Sequence, residues 1–139
     1  MESVHAKSYS TIFSTLNTKK EIEELFNWVD TNVYMQTKAE IINKIYESGT
    51  PLQKKVASVF LETCLFYSGF YTPLRYLGNN KMINSAEIIK LIIRDESVHG
   101  TYIGYKFQLG FNELSEDEQG EFRDWMYELL YQLYENEEK

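Results

Sequence analysis

Apolar residues recur along this chain at three- and four-residue intervals, and the alternation that a half-buried strand needs is scarce. Four cap signatures divide the pattern. Thr18-Lys19-Lys20-Glu21, Thr50-Pro51-Leu52-Gln53, Asn84-Ser85-Ala86-Glu87 and Ser115-Glu116-Asp117-Glu118 each set a capping side chain three residues before Glu or Gln. Pro51 falls at a first helical position, where its missing N–H costs nothing. Helices are therefore predicted to begin near 19, 51, 85 and 116. Upstream, Val4, Tyr9, Ile12, Phe13 and Leu16 share helical spacing, so residues 2–16 read as the C-terminal portion of a further helix. The expected fold is all-α, with about five helices.

Within this frame, residues 19–48 look like a helix broken around Asp30-Thr31-Asn32 and stopped at Gly49, with Leu25, Trp28, Val29, Ile41, Ile42 and Ile45 at core spacing. Such a crossover can join two parallel helices of a bundle. From 56 to 74 the only formally charged residue is Glu62, which on a helix shares a face with Val59, Phe66 and Phe70. Its neighbours predict burial, and a buried carboxylate is expensive unless neutralised, paired or bound to a metal. Pairing with Arg94 or a lysine is the structural alternative. Gly100 and Gly104 lower helix propensity and predict close approach by another helix. The last helix offers Phe122, Trp125, Met126, Leu129, Leu130 and Leu133 as a packing face, followed by a solvated acidic tail over 135–138.

Composition narrows the class. At 139 residues with 43% hydrophobic content, the chain suits one domain with a real core. A formal charge of −7 with acidic residues spread throughout disfavours a nucleic-acid partner. One cysteine, Cys64, excludes an internal disulfide and fits a reducing cytoplasm. No signal peptide is expected, since Glu2 and His5 stand where a basic and then apolar run is needed. The weakly charged stretch 56–74 approaches membrane-spanning length but carries Glu62, Ser68, Gly69 and Pro73, so a buried helix explains it better.

The candidate chemistry lies in a repeated tetrapeptide. Glu2-Ser3-Val4-His5 and Glu96-Ser97-Val98-His99 hold the only two histidines, each with a glutamate three residues before it. Chance gives both on the order of once in sixty tries. Three-residue spacing turns carboxylate and imidazole to one helix face, and two such pairs on facing helices make a four-ligand metal site. The competing reading is two solvated Glu/His pairs worth a few tenths of a kcal/mol each. Both tetrapeptides sit among apolar or small residues, which weakens that reading. Oxygen and nitrogen donors suit Mn, Fe or Co, and the lack of thiolates argues against structural zinc. Dinuclear carboxylate sites in bundles take Glu-x-x-His from two helices and one Glu from each of two others. Glu62 supplies one of these, and the fourth ligand helix is expected upstream of Glu2.

The runs around Glu2–Leu16, Ser58-Val-Phe-Leu-Glu62-Thr-Cys-Leu-Phe-Tyr-Ser-Gly-Phe70 and Ile92-Ile-Arg-Asp-Glu96-Ser-Val-His99-Gly-Thr-Tyr-Ile-Gly-Tyr-Lys resemble, over essentially the whole chain, the middle of a class I ribonucleotide reductase small subunit. Class Ib is the nearest match. The resemblance implies an incomplete ferritin-like bundle, a single partial domain over 1–139, whose Glu2, His5, Glu62, Glu96 and His99 bind two Fe or two Mn ions. It implies that Tyr9 holds the stable radical, that Phe66, Phe70 and Ile92 wall it, and that Asp95 hydrogen-bonds ligand His5. The implied activity is generation of the tyrosyl radical with which a separate large subunit reduces ribonucleoside diphosphates to deoxyribonucleotides. Implied partners are that large subunit, a second copy in a homodimer and a flavodoxin-like activator, in the cytoplasm. The family's sixth ligand, an upstream tryptophan and a C-terminal tail have no counterpart in these residues, so an internal piece with a complementing chain is expected. Two alternatives remain open at this point: an inactive or structural remnant, and another ferritin-like dimetal oxidase.

Overall fold

The computed structural model describes the backbone of residues 2–139 and the side chains of 3–139. The described residues are helical nearly throughout: α1 (Glu2–Leu16), α2 (Lys19–Thr31), α3 (Val33–Ser48), α4 (Pro51–Phe60), α5 (Phe66–Gly78), α6 (Ile83–Phe111) and α7 (Glu116–Glu137). A five-residue π-helical turn, Leu61–Leu65, joins α4 to α5 without a break in direction. Three predicted caps form reciprocal capping boxes, at Thr18 with Glu21, Thr50 with Gln53 and Ser115 with Glu118. The expected break in 19–48 falls at Asn32, which ends α2 and caps α3 by accepting from the Met35 N–H. The predicted start near 85 is displaced. α6 begins at Ile83, after Met82 in a left-handed conformation, and no side chain caps it, so the Asn84 box is not used.

The bundle is organised around α6. Leu52 opposes Gly110, Val59 opposes Gly104, Thr63 opposes Gly100, and Phe70 packs with Ile89 and Ile92. Rising numbers on one partner meet falling numbers on the other, so α4, the π turn and α5 run antiparallel to α6. The predicted close approach at Gly100 and Gly104 is thus made by this one partner.

Two apolar clusters hold the helices. The first joins Ile42 of α3, Val56 and Ala57 of α4, Leu65 of the π turn and Leu129 and Leu133 of α7. Phe107, Phe111, Phe122 and Trp125 extend it as an aromatic ladder with ring centroids 5.2–6.0 Å apart. The second contains Phe70, Ile89 and Ile92, with Tyr9 and Ile12 of α1 and Phe66 packed against it. Some predicted core positions differ. Leu130 is exposed because α7 presents only the Leu129–Leu133 side to α3 and α4, and α2 buries no residue, leaving Leu25 and Trp28 about half exposed. Leu25 and Val29 instead line an open apolar groove of about 1570 Å³, shared with Tyr9, Phe13, Phe66 and Phe70. His5 and Glu96 also border it. Among the described residues, no helix is long and apolar enough to cross a membrane.

Candidate metal centre

Glu96 is the focus of the site. It is 2% exposed, on the α6 face that also buries Ile92 and Gly100. Such burial of a carboxylate requires partners, and two imidazoles supply them. His99 Nδ1, one turn along the same helix, lies 3.0 Å from Glu96 Oε2. His5 Nδ1, delivered by α1, lies 2.9 Å from Glu96 Oε1. One carboxylate therefore stands between two histidines, an oxygen facing each, with ring centroids 6.3 Å apart.

Glu62 enters from the π turn. Glu62, Glu96 and His99 each offer a ligand atom within 4.8 Å of the others'. The turn makes this approach possible: Phe66 N–H bonds the Leu61 carbonyl, five residues back, which locally widens the helix that carries Glu62. The Glu2 side chain lies outside the described residues, so its predicted ligand role has no geometry here. Its backbone belongs to α1, one turn before His5.

Asp95 Oδ2 lies 3.2 Å from His5 Nε2. A proton on Nε2 shared with this carboxylate leaves the Nδ1 lone pair directed towards Glu96, which is the orientation a metal ligand needs. Tyr9 follows His5 by one turn and sits half-buried against the Phe70, Ile89 and Ile92 cluster, beside Phe66. Burial, and secondly the negative charge of Glu96, push the Tyr9 phenol above its ordinary value. It is held as the neutral phenol among apolar side chains.

The structure thus brings His5, Glu62, Glu96, His99 and Asp95 together, and places Tyr9 with Phe66, Phe70 and Ile92 in one apolar cluster. The donor set, carboxylate oxygens with imidazole nitrogens and no sulfur, fits divalent manganese or iron. Sequence spacing did not reveal the π turn or the contact of Thr63 with Gly100. Only the glycine itself, read as a site of close approach, pointed to the second.

Comparison with known proteins identifies the family. The family described as "Ribonucleotide reductase, small chain" matches residues 1–139. A Mycobacterium tuberculosis ribonucleoside-diphosphate reductase subunit beta is 53% identical over 137 residues, covering 99% of this chain and 42% of the relative. An Escherichia coli ribonucleoside-diphosphate reductase 2 subunit beta is 48% identical over 99% of this chain and 43% of its own length. The crystal structure of Streptococcus sanguinis dimanganese(II)-NrdF superposes with a TM-score of 0.97 at 78% identity, covering 99% of this chain and 49% of that one. The chain therefore spans less than half the length of these relatives. With the family matched from end to end and the helices superposing closely, the chain belongs to the ribonucleotide reductase small-chain family.

Proposed function

We propose that residues 1–139 form a single partial ferritin-like domain, the metal- and radical-bearing core of a class Ib ribonucleoside-diphosphate reductase small subunit. The observation that carries this reading is the placement of Glu96 between His5 and His99, with Glu62 in reach and Tyr9 alongside. Glu2, His5, Glu62, Glu96 and His99 would hold two manganese or two iron ions, Glu96 offering one carboxylate oxygen on the His5 side and the other on the His99 side. When bound, the dinuclear centre supplies the oxidising equivalent that converts Tyr9 to its radical.

The protein's own part is orientation and insulation. Asp95 fixes the His5 ring so that Nδ1 serves as donor. Because Tyr9 starts as the neutral phenol, its neutral radical forms only when the phenol oxygen releases its proton as well as an electron, the electron passing to the oxidised centre. Phe66, Phe70 and Ile92 offer no group that reacts with an oxidised phenol, and they exclude water from one side of it. The radical equivalent would pass to a cysteine of a large subunit that reduces ribonucleoside diphosphates. A second copy of the small subunit, a flavodoxin-like activator and a chain completing the bundle are the further partners of this reading.

Metal analysis with low-temperature electron paramagnetic resonance tests it, on this chain alone and together with the N-terminal part of the Streptococcus sanguinis relative. Two metals per chain, and a tyrosyl signal absent from Tyr9→Phe, are expected. No metal uptake in either sample overturns the reading.

A further inference from the structure

The contact between the π turn and α6 adjoins two of the proposed ligands. Thr63 directly follows Glu62, and Gly100 directly follows His99. The Thr63 hydroxyl donates to the Val59 carbonyl at 2.6 Å. Because Thr is β-branched, this bond also fixes the direction of its methyl group. That methyl, Cγ2, points at Gly100. A Cβ built on Gly100 would lie well inside van der Waals contact of Thr63 Cγ2, whereas its next neighbours, Glu62 Cβ at 3.7 Å and Thr63 Cβ at 3.9 Å, are ordinary contacts. One methyl group decides whether position 100 tolerates a side chain.

We propose that Gly100 and Thr63 are positioning residues, a steric register that sets where the Glu62 carboxylate stands relative to Glu96 and His99. This rests on the metal-centre reading above. On either side of the π turn the helix is pinned, by buried Val56 and Ala57 before it and by Phe70 after it. The turn itself departs from the regular hydrogen-bond ladder; Leu65 anchors its end in the first apolar cluster, while Thr63 and the Glu62 Cβ are its groups nearest Gly100. Pressure from a larger residue at 100 therefore falls first on Thr63, and Glu62, its chain neighbour, moves with it. Helix-wide displacement is opposed by both apolar clusters.

The test uses the full chain and four sequences: parent, Gly100→Ala, Thr63→Ser, and both together. Thr63→Ser deletes Cγ2 and keeps the hydroxyl that bonds Val59. Manganese(II) titration followed by electron paramagnetic resonance reads the two metals separately, as loss of the free-ion signal and growth of the coupled pair. Gly100→Ala is expected to weaken the manganese held by Glu62, Glu96 and His99 about tenfold, within the range for residues that orient ligands, while the ion on the His5 side is retained. The double variant is expected to recover parent affinity and coupling. Thermal melting of the metal-free chains gives an independent sign. Ala is the better helix former, so Gly100→Ala should melt below parent only if the clash is real, and the double variant should melt above Thr63→Ser. Parent-like manganese binding by Gly100→Ala, or failure of Thr63→Ser to restore it, overturns the proposal. A parent chain that takes no manganese either alone or with the N-terminal part of the Streptococcus sanguinis relative overturns the metal-centre reading instead, and the melting order alone then upholds or overturns the register.

Discussion

Replacement of Asp95 probes how His5 is held without touching a proposed ligand. Its carboxylate lies 3.2 Å from His5 Nε2, and the two side chains are 32% and 7% exposed. Loss of such an orienting partner typically weakens metal binding 10–100-fold. Two features place Asp95→Asn at the lower end. The separation exceeds the usual ~2.7–2.9 Å of a strong charge-assisted bond, and solvent screens a carboxylate that is one-third exposed. Asn also keeps an oxygen that can accept from Nε2. About tenfold weaker binding, or about 1.4 kcal/mol, is expected for Asp95→Asn, and a loss towards a hundredfold for Asp95→Ala, which removes the acceptor. Manganese(II) titration read by electron paramagnetic resonance should show the loss in the ion on the His5 side, with the ion held by Glu62, Glu96 and His99 retained. Unchanged binding in both variants, or equal loss of both ions, would refute the orienting role.

Other expectations concern the frame around the site. Leu133, 1% exposed within the cluster that ties α7 to α3 and α4, should cost ~2–5 kcal/mol when replaced by Ala, seen as a lower urea midpoint with unchanged slope. Glu21 and Glu118 have carboxyls held below their ordinary value by hydrogen bonds from Thr18 and Ser115. A lowered folded-state value means that their stabilisation is present above the unfolded carboxylate value and fades as pH falls through the folded one. The melting difference between parent and a Glu21→Gln, Glu118→Gln variant should therefore shrink from pH 7 to pH 3; a constant difference would assign the effect to something other than ionised capping boxes.

The fold was legible because helix ends are local chemistry. Thr18, Thr50 and Ser115 cap by reaching three residues ahead, and that reach is visible in the chain itself. Asn84 shows the limit of the rule, since a left-handed Met82 and the turn before it start α6 two residues earlier and leave the box unused. Burial was less legible. Leu25, Trp28 and Leu130 have core spacing, but spacing cannot say whether another element lies against that face.

At the site, the i, i+3 pairing of Glu96 with His99 follows from helix geometry alone, whereas the meeting of His5 with Glu96 and Asp95 depends on how α1 docks on α6. The repeated tetrapeptide hinted at that meeting without fixing it. Glu62 was marked by its isolation in an apolar run. The π turn that aims it was not marked, because no residue type demands one. Gly100 carried half of the signal, and its partner Thr63 became visible only when the two helices were set side by side.

Anomalous diffraction at the manganese edge, from crystals soaked in manganese(II), would locate metal ions directly relative to Glu96, His5 and His99. Two peaks flanking the Glu96 carboxylate are expected, one beside His5 Nδ1 and the other beside His99 Nδ1, with Glu62 on the His99 side. Peaks confined to exposed carboxylates such as those of Glu135 and Glu138, with none between the two histidines, would contradict the metal-centre reading.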